Sequence, residues 1–202
     1  MLRFHRVSLG ISLLIILLAA SCGDKSTNPK QVGEIWPLKI GSQWSFQLTE
    51  FDTNAVVISI DTLVLEVVKD TIIHNETFYL LTANGVRDPE VWPMTNRDDG
   101  LWYYRDPDTI VILIKYPVTV GESFFQLHDS LVVVSIDTLV TLPGGSFHCV
   151  RYDDYLIATG RLLGQIYAAP GVGLIKKEDF SQTFGGRLYL SEVMELISYV
   201  LH

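Results

Sequence analysis

One nine-residue motif occurs twice in this chain, and it constrains the fold more than any other feature. The first copy spans residues 36–44 and the second spans residues 116–124. Both read aromatic, proline, aliphatic, any residue, aliphatic, glycine, two further residues and aromatic. Repetition within a chain indicates copies of one structural unit. We call this the lead-in motif, and its defining residues are Trp36, Pro37, Gly41 and Trp44, then Tyr116, Pro117, Gly121 and Phe124.

Further matches follow the lead-in motif in the same order. Ile58–Val64 recurs as Val134–Val140 with six of seven residues identical, and Gly100–Tyr104 aligns with Gly173–Lys177. The offsets between matched segments change in steps the size of a loop insertion. We therefore predict two tandem units, one at residues 36–115 and one at 116–202.

The segments between these matches are typical of β-strands. β-branched and aromatic residues are dense, the runs are short, and turn residues separate them. Residues 42–51 alternate apolar and polar side chains, which predicts a strand with one buried face. The fold prediction is all-β, with antiparallel sheets from two related units that form either a sandwich or an open half-barrel.

Two segments are harder to interpret. Residues 87–99 are rich in proline and aspartate, which predicts a loop. The last segment, from Gly186, fits both a helical stripe and a strand. We predict a strand there, because everything around it is β and a sheet edge needs a partner.

The N-terminal residues 1–21 have the features of a signal peptide. Two arginines precede an apolar run at 7–18, which is short for a membrane span. The small residues before Cys22 resemble a bacterial lipobox, although Ala19 stands where leucine is usual. We expect lipidation of Cys22 and a flexible tether over residues 22–35; the alternative is an ordinary secretory signal cut near Ala20.

Several motifs together resemble those of a group of bacterial envelope lipoproteins. They are the two lead-in motifs, the segment 143–149 (PGGSFHC) and the segment 167–174 (YAAPGVGL), which contains Pro170, Gly171 and Gly173. The resemblance covers most of residues 36–180. It implies a location in the cell envelope and a β architecture, and it implies no catalytic residue.

The sequence offers little for catalysis or metal binding. His74, His128 and His148 are not spaced as metal ligands, and no nucleophile elbow or dinucleotide fingerprint is present. We therefore predict no catalytic residue, no metal and no cofactor. His128 with Asp129, or His148 with the acids at 153–154, could form a His/Asp pair, but solvated histidines are the favoured interpretation.

Four aromatic residues form the one candidate binding surface in the sequence: Trp92, Trp102, Tyr103 and Tyr104. In a strand, Trp102 and Tyr104 point to one face and Tyr103 to the other. One set is expected in the core, and the rest could form a binding platform. Cys149 lies in an apolar run and is expected to be a buried small hydrophobe.

The expected function is a non-catalytic binding or structural module, anchored by its N-terminal lipid in the cell envelope, at the outer membrane. The alternatives are a carrier of an acyl chain or other apolar ligand on a concave sheet and, third, an envelope hydrolase. The formal charge of −8 and the lack of a basic cluster argue against nucleic acid as a partner. The expected partners are the membrane, an envelope protein or an apolar ligand.

Overall fold

The structure is a computed structural model that describes residues 33–85, 91–106 and 109–202. The predicted signal peptide, Cys22 and the tether before residue 33 lie outside the described residues. The described chain forms twelve strands in a single sheet. The strands are β1 Gln43–Phe51, β2 Val57–Ile73, β3 Glu76–Asn84, β4 Val91–Arg97, β5 Gly100–Asp106, β6 Thr109–Lys115, β7 Ser123–Gln126, β8 Asp129–Leu142, β9 Gly145–Leu156, β10 Arg161–Ala169, β11 Gly173–Gln182 and β12 Leu188–Val200.

All neighbouring strands in this sheet are antiparallel, in the order β6-β5-β4-β3-β2-β1-β12-β11-β10-β9-β8-β7. The sheet curls until its two edge strands approach each other, since the Gln126 side chain on β7 donates a hydrogen bond to the Leu113 carbonyl on β6. The prediction of an all-β antiparallel fold is confirmed, and of its two forms the structure adopts the open half-barrel. The last segment is strand β12, as predicted.

The two ends of the sheet differ. We call the end that carries the β1–β2 turn, residues 52–56, the upper end. The lower end carries the β10–β11 turn, residues 170–172, and both lead-in motifs. Two hydrogen bonds hold the motifs there: the Asn96 side chain donates to the Trp36 carbonyl at 2.8 Å, and the Tyr116 amide donates to the Asp99 carbonyl at 3.0 Å. The described chain therefore begins, at Gly33, at the lower end.

The two lead-in motifs make equivalent hydrogen bonds. The Gly41 amide donates to the Val67 carbonyl at 2.8 Å, and the Gly121 amide donates to the Val133 carbonyl at 2.8 Å. Val67 on β2 thus corresponds to Val133 on β8. The predicted match of residues 58–64 with 134–140 is wrong as a structural equivalence, because the β1–β2 hairpin is longer than the β7–β8 hairpin and shifts that segment upward. The division into two copies of one unit stays a prediction.

Side chains fill the inner face of the half-barrel. Trp44, Phe46, Tyr152, Leu131 and Leu196 are fully buried there. The lead-in motifs cover the lower end of this core with the buried side chains Trp36, Leu38, Tyr116 and Val118. Ile35, predicted to lie in the flexible tether, is also buried in this core. Most of the hydrophobic stabilisation thus comes from a continuous packed interior.

The loop predicted at residues 87–99 is partly wrong. Residues 91–97 form strand β4, which pairs with both β3 and β5. Pro93 lies within it, opposite Leu80. Proline is rare inside sheets because it lacks an amide donor, and its presence here misdirected the prediction.

Candidate ligand cleft at the open seam

The four aromatic residues singled out by the sequence lie on two faces of the sheet. Trp92 and Tyr103 lie on the inner face, where they line one cavity. Trp102 lies on the outer face, where its ring stacks under the Arg97 guanidinium at 4.5 Å and its Nε1 donates to Asp99 Oδ1 at 2.8 Å. The four residues therefore do not form one binding surface, and only Trp92 and Tyr103 line a cavity together.

Tyr104 also contributes to the outer face. Its ring packs edge-on against Phe78, with centroids 5.9 Å apart, and lies 6.0 Å from the His74 ring. Phe78 is fully buried although it lies outside the main core. Tyr104 thus helps to cover a second, smaller apolar cluster rather than a binding surface.

The cavity beside Trp92 and Tyr103 has a volume of about 280 Å³. Met94 and Leu113 complete its lining, so its walls are almost wholly apolar. Met94 faces Tyr103 directly across the β4–β5 pair. A small apolar cavity next to edge strand β6 is the kind of concave site that takes small ligands, at the low end of their usual size.

A second cavity of about 360 Å³ continues from the first toward the upper end. The two share Tyr103 and Leu113 as walls. We call the two together the seam cleft. Besides the shared pair, residues from β5, β6, the end of β7, the β7–β8 turn and the start of β8 line its upper part: Arg105, Val111, Gln126, Leu127, His128 and Asp129.

The seam cleft exists because the sheet does not close. At the lower end, the Tyr152 hydroxyl donates to the Lys115 carbonyl at 2.8 Å, and Lys115 Nζ lies 2.5 Å from Glu122 Oε1. Lys115 also holds the pKa of the Glu122 carboxyl below its ordinary value. These contacts use side chains, whereas the corresponding joint between β1 and β12 is a backbone ladder.

Strand β7 is too short to complete the joint. It ends at Gln126, whose side chain reaches Leu113, so the upper half of β6, residues 109–112, continues past it. Across from this half lies the β7–β8 turn, where Leu127 has a φ of 44° and an exposed side chain. The gap between that turn and β6 is the upper part of the seam cleft.

The upper part of the seam cleft carries one positive and one negative side chain. Within the part of the chain that the structure describes, neither Arg105 nor Asp129 forms an ion pair. His128, adjacent to Asp129, is exposed on the same rim. The cleft therefore grades from an apolar lower part to a polar upper part.

A row of carboxylates lies on the inner face near the upper end. Burial raises the pKa of the Asp154 carboxyl from 3.8 to about 6, and the charges of Asp129 and Asp179 add to this effect. The pKa of Glu192 is raised in the same way, first by burial and then by Asp179. A cavity of about 410 Å³ beside this row is lined by the acids Glu50, Asp61 and Glu192.

Acid clusters can hold cations, but the geometry here does not. Across residues 33–85, 91–106 and 109–202, no three His, Cys, Asp or Glu side chains are grouped so that they could bind a metal ion. The acidic row is therefore an electrostatic feature of the upper end.

His148 has an acidic neighbour, but it is not the one that the sequence suggested. His148 Nδ1 lies 2.5 Å from Asp137 Oδ1, so its acidic neighbour is Asp137 rather than the acids at 153–154. Both side chains are mostly exposed, at 73% and 60%. Cys149 is fully buried, and burial raises the pKa of its thiol to about 12, which leaves it protonated and unreactive at neutral pH.

The glycine-rich residues of the β10–β11 turn pack the lower end. Gly171 follows Pro170 in the β10–β11 turn, and its amide donates to the Glu34 carbonyl at 2.8 Å. Gly173 has a φ of +104°, and a Cβ there would lie 2.7 Å from the Trp36 ring. Next to it, the Trp44 indole donates to the Val172 carbonyl at 2.7 Å. The structure thus places these motif residues in contact with the first lead-in motif.

Several residues of the seam cleft escaped the sequence analysis, among them Met94, Arg105 and Leu113. Period-two alternation could have grouped Tyr103 with Arg105. Leu113 could not be grouped in this way, because the register of the β5–β6 pair shifts between Leu101 and Trp102. A bulge of this kind changes which side chains share a face and leaves little trace in the sequence.

Comparison with known proteins gives a distant likeness in fold. No protein-family model matches the chain, and no curated protein matches it. A crystal structure of a protein provisionally described as exported, with a YmcC-like fold, from Bacteroides fragilis matches with a TM-score of 0.48 and 13% identity, over 84% of this chain and 100% of that one. A protein provisionally described as a lipoprotein, from Parabacteroides distasonis, matches with a TM-score of 0.44 and 11% identity, over 85% and 100%.

Within the residues that the structure describes, no helix is long and apolar enough to cross a bilayer.

Proposed function

We propose that this chain is a lipid-anchored protein of the bacterial cell envelope that binds a small apolar or amphipathic ligand in the seam cleft and catalyses no reaction. The observation that carries the proposal is the apolar cavity beside Trp92, Met94, Tyr103 and Leu113, which opens into a polar rim. Pockets that combine an apolar lining with a few polar groups are the usual form of small-molecule sites.

The packing of the interior limits what the ligand can be. A carrier that enclosed a long acyl chain along the axis of the half-barrel would need the space that Trp44, Phe46 and Tyr152 fill. The seam cleft, in contrast, lies beside the core and has room for a ring or a short chain. The carrier hypothesis therefore applies to a smaller ligand, which is held in the seam cleft and not along the axis of the half-barrel.

The anchor part of the proposal rests on the sequence around Cys22 and on the resemblance to envelope lipoproteins. Two or three acyl chains suffice to hold a protein on a bilayer, at about 0.8 kcal/mol for each buried CH₂ group. The described chain begins at the lower end, so the tether from Cys22 would join the folded part there.

The binding site is tested by filling it. Leu113 is shared by both parts of the seam cleft, so Leu113→Trp would occupy the space that the ligand needs. Leu139→Trp, at a leucine that is 62% exposed on β8, is the matched control. We expect a naphthylamine fluorophore to bind the wild type and the control equally, and the Leu113 variant at least about tenfold more weakly. Equal binding by all three would exclude the seam cleft as the site.

The anchor is tested separately. We expect the full chain to fractionate with membranes and to carry an acylated N-terminal cysteine by mass spectrometry, and we expect Cys22→Ser to release it. An unmodified N-terminal mass in protein purified from membranes would contradict lipidation. The two tests are independent, because the first uses the folded domain alone and the second uses its N-terminus.

A further inference from the structure

The charges on the rim of the seam cleft define the ligand more closely than the apolar cavity does. Arg105 and Asp129 line the same part of the cleft and are not paired with each other. Because neither has an ionic partner among the described residues, each can pair with a group on a ligand. Elsewhere in the described chain most basic side chains already have an acidic partner, for example Arg97 with Glu76 and Lys177 with Asp179.

We infer that the seam cleft binds a zwitterionic amphiphile, with its anionic group on Arg105, its ammonium group on Asp129 and its apolar chain between Tyr103 and Leu113; this inference rests on the proposed function. The apolar chain enters the lower part of the cleft, where Trp92 and Met94 complete the lining. The head group stays in the upper part, which is open to solvent.

Charge complementarity favours a zwitterion over a simple ion. A lone carboxylate at this rim is attracted by Arg105 but repelled by Asp129. A lone ammonium group meets the same opposition with the signs reversed. A head group with both charges gains both attractions, and it leaves neither side chain facing a like charge.

The remaining polar groups of the rim fit this assignment. His128 and Gln126 stand at the β7–β8 turn, next to Asp129, and can hydrogen-bond to a head group. The amide nitrogen of Gln126 already donates to the Leu113 carbonyl, so its oxygen is the atom left to accept a hydrogen bond from an ammonium group. The rim thus offers acceptors on the β7–β8 side and a guanidinium donor on the β5 side.

Three probes with the same dodecyl chain length test the inference by calorimetric titration below their micelle concentrations. They are dodecanoate, dodecylamine and dodecanoyl lysophosphatidylethanolamine, which carry an anionic, a cationic and a zwitterionic head group. Because both side chains are accessible to water, each ion pair is worth at most about a fivefold change in affinity. We expect the zwitterion to bind about fivefold more tightly than either simple ion.

Variants of the two charged residues then assign the contacts. Arg105→Gln should abolish the preference for the zwitterion over dodecylamine, and Asp129→Asn should abolish its preference over dodecanoate. Lys69→Gln and Asp70→Asn, exposed on β2, should leave both preferences intact. Equal affinity for all three probes, or a preference that both cleft variants retain, would overturn the zwitterion inference. If Leu113→Trp still weakened every probe in that case, the seam cleft would stand as the site; if it weakened none, the proposed function would fail as well.

Discussion

Replacing Asp154 tests the electrostatics of the upper end directly. Leu65 pairs with Ala83 on β3, and Leu131 pairs with Asp154 on β9. Asp154 therefore occupies the position that a fully buried alanine takes in the first half of the sheet. Its Oδ1 atom is buried and has no hydrogen-bond partner among the described residues. A carboxylate in such a place is destabilising when it is ionised.

The size of the effect follows from the pKa. Burial, followed by the charges of Asp129 and Asp179, raises the pKa of Asp154 from 3.8 to about 6. At about 1.36 kcal/mol for each pH unit, ionisation costs the fold up to about 3 kcal/mol, and we expect about 1–3 kcal/mol after allowing for partial exposure. Because the pKa is higher in the folded state, this cost is absent below the unfolded pKa and is complete once the pH exceeds the folded pKa.

Urea unfolding of wild type and Asp154→Ala between about pH 4 and pH 8 measures this cost. We expect the stability of the variant relative to wild type to rise by about 1–3 kcal/mol across that range, with most of the rise between the two pKa values. Asp70→Asn, at an exposed site on β2, controls for the loss of one negative charge. A difference that stays constant with pH, or one that falls as pH rises, would refute the reasoning.

Three further changes test the packing of the fold. Gly173→Ala should lower the free energy of unfolding by about 2 kcal/mol or more, because the added Cβ would meet the Trp36 ring at 2.7 Å. Gly171 also has a positive φ, but a Cβ there would have no atom within 4 Å, so Gly171→Ala should cost only about 1 kcal/mol. Equal losses in the two variants would contradict this explanation. Tyr152→Phe should cost about 1 kcal/mol in denaturant unfolding, since it removes the hydroxyl that ties β9 to the β6 edge, and an unchanged midpoint would argue against that contact. Cys149 should resist thiol reagents until the protein unfolds, and rapid labelling of the native state would show that it is not buried.

The sequence predicted the local structure of this chain well. Period-two alternation around Trp44 and Phe46 identified strand β1, and the dense β-branched residues identified an all-β fold. The two copies of the lead-in motif, which the sequence pattern matched to each other, make the same backbone hydrogen bonds. These features depend on residues that are close to one another along the chain, and the sequence shows such residues directly.

The seam cleft depends on contacts that are remote in the chain, and it could not be predicted. The identity between residues 58–64 and 134–140 suggested an alignment that the hydrogen bonds of Val67 and Val133 exclude. Strand β7 has only four residues, and this shortness leaves the upper half of β6 without a partner on that side, although β5 pairs with its other side. Neither the strand length nor the register shift at Trp102 follows from hydrophobic patterning, because both are set by how the sheet closes.

Photolabelling tests the central claim, that the seam cleft is the binding site, most directly. A dodecyl amphiphile with a photoreactive group at the chain end is irradiated with the folded protein, and the labelled peptides are identified by mass spectrometry. The account predicts labels on β4 to β6 around Trp92, Tyr103 and Leu113, and their loss when an excess of unlabelled amphiphile competes. Labels confined to other surfaces, or labels at the cleft that excess amphiphile does not displace, would contradict it.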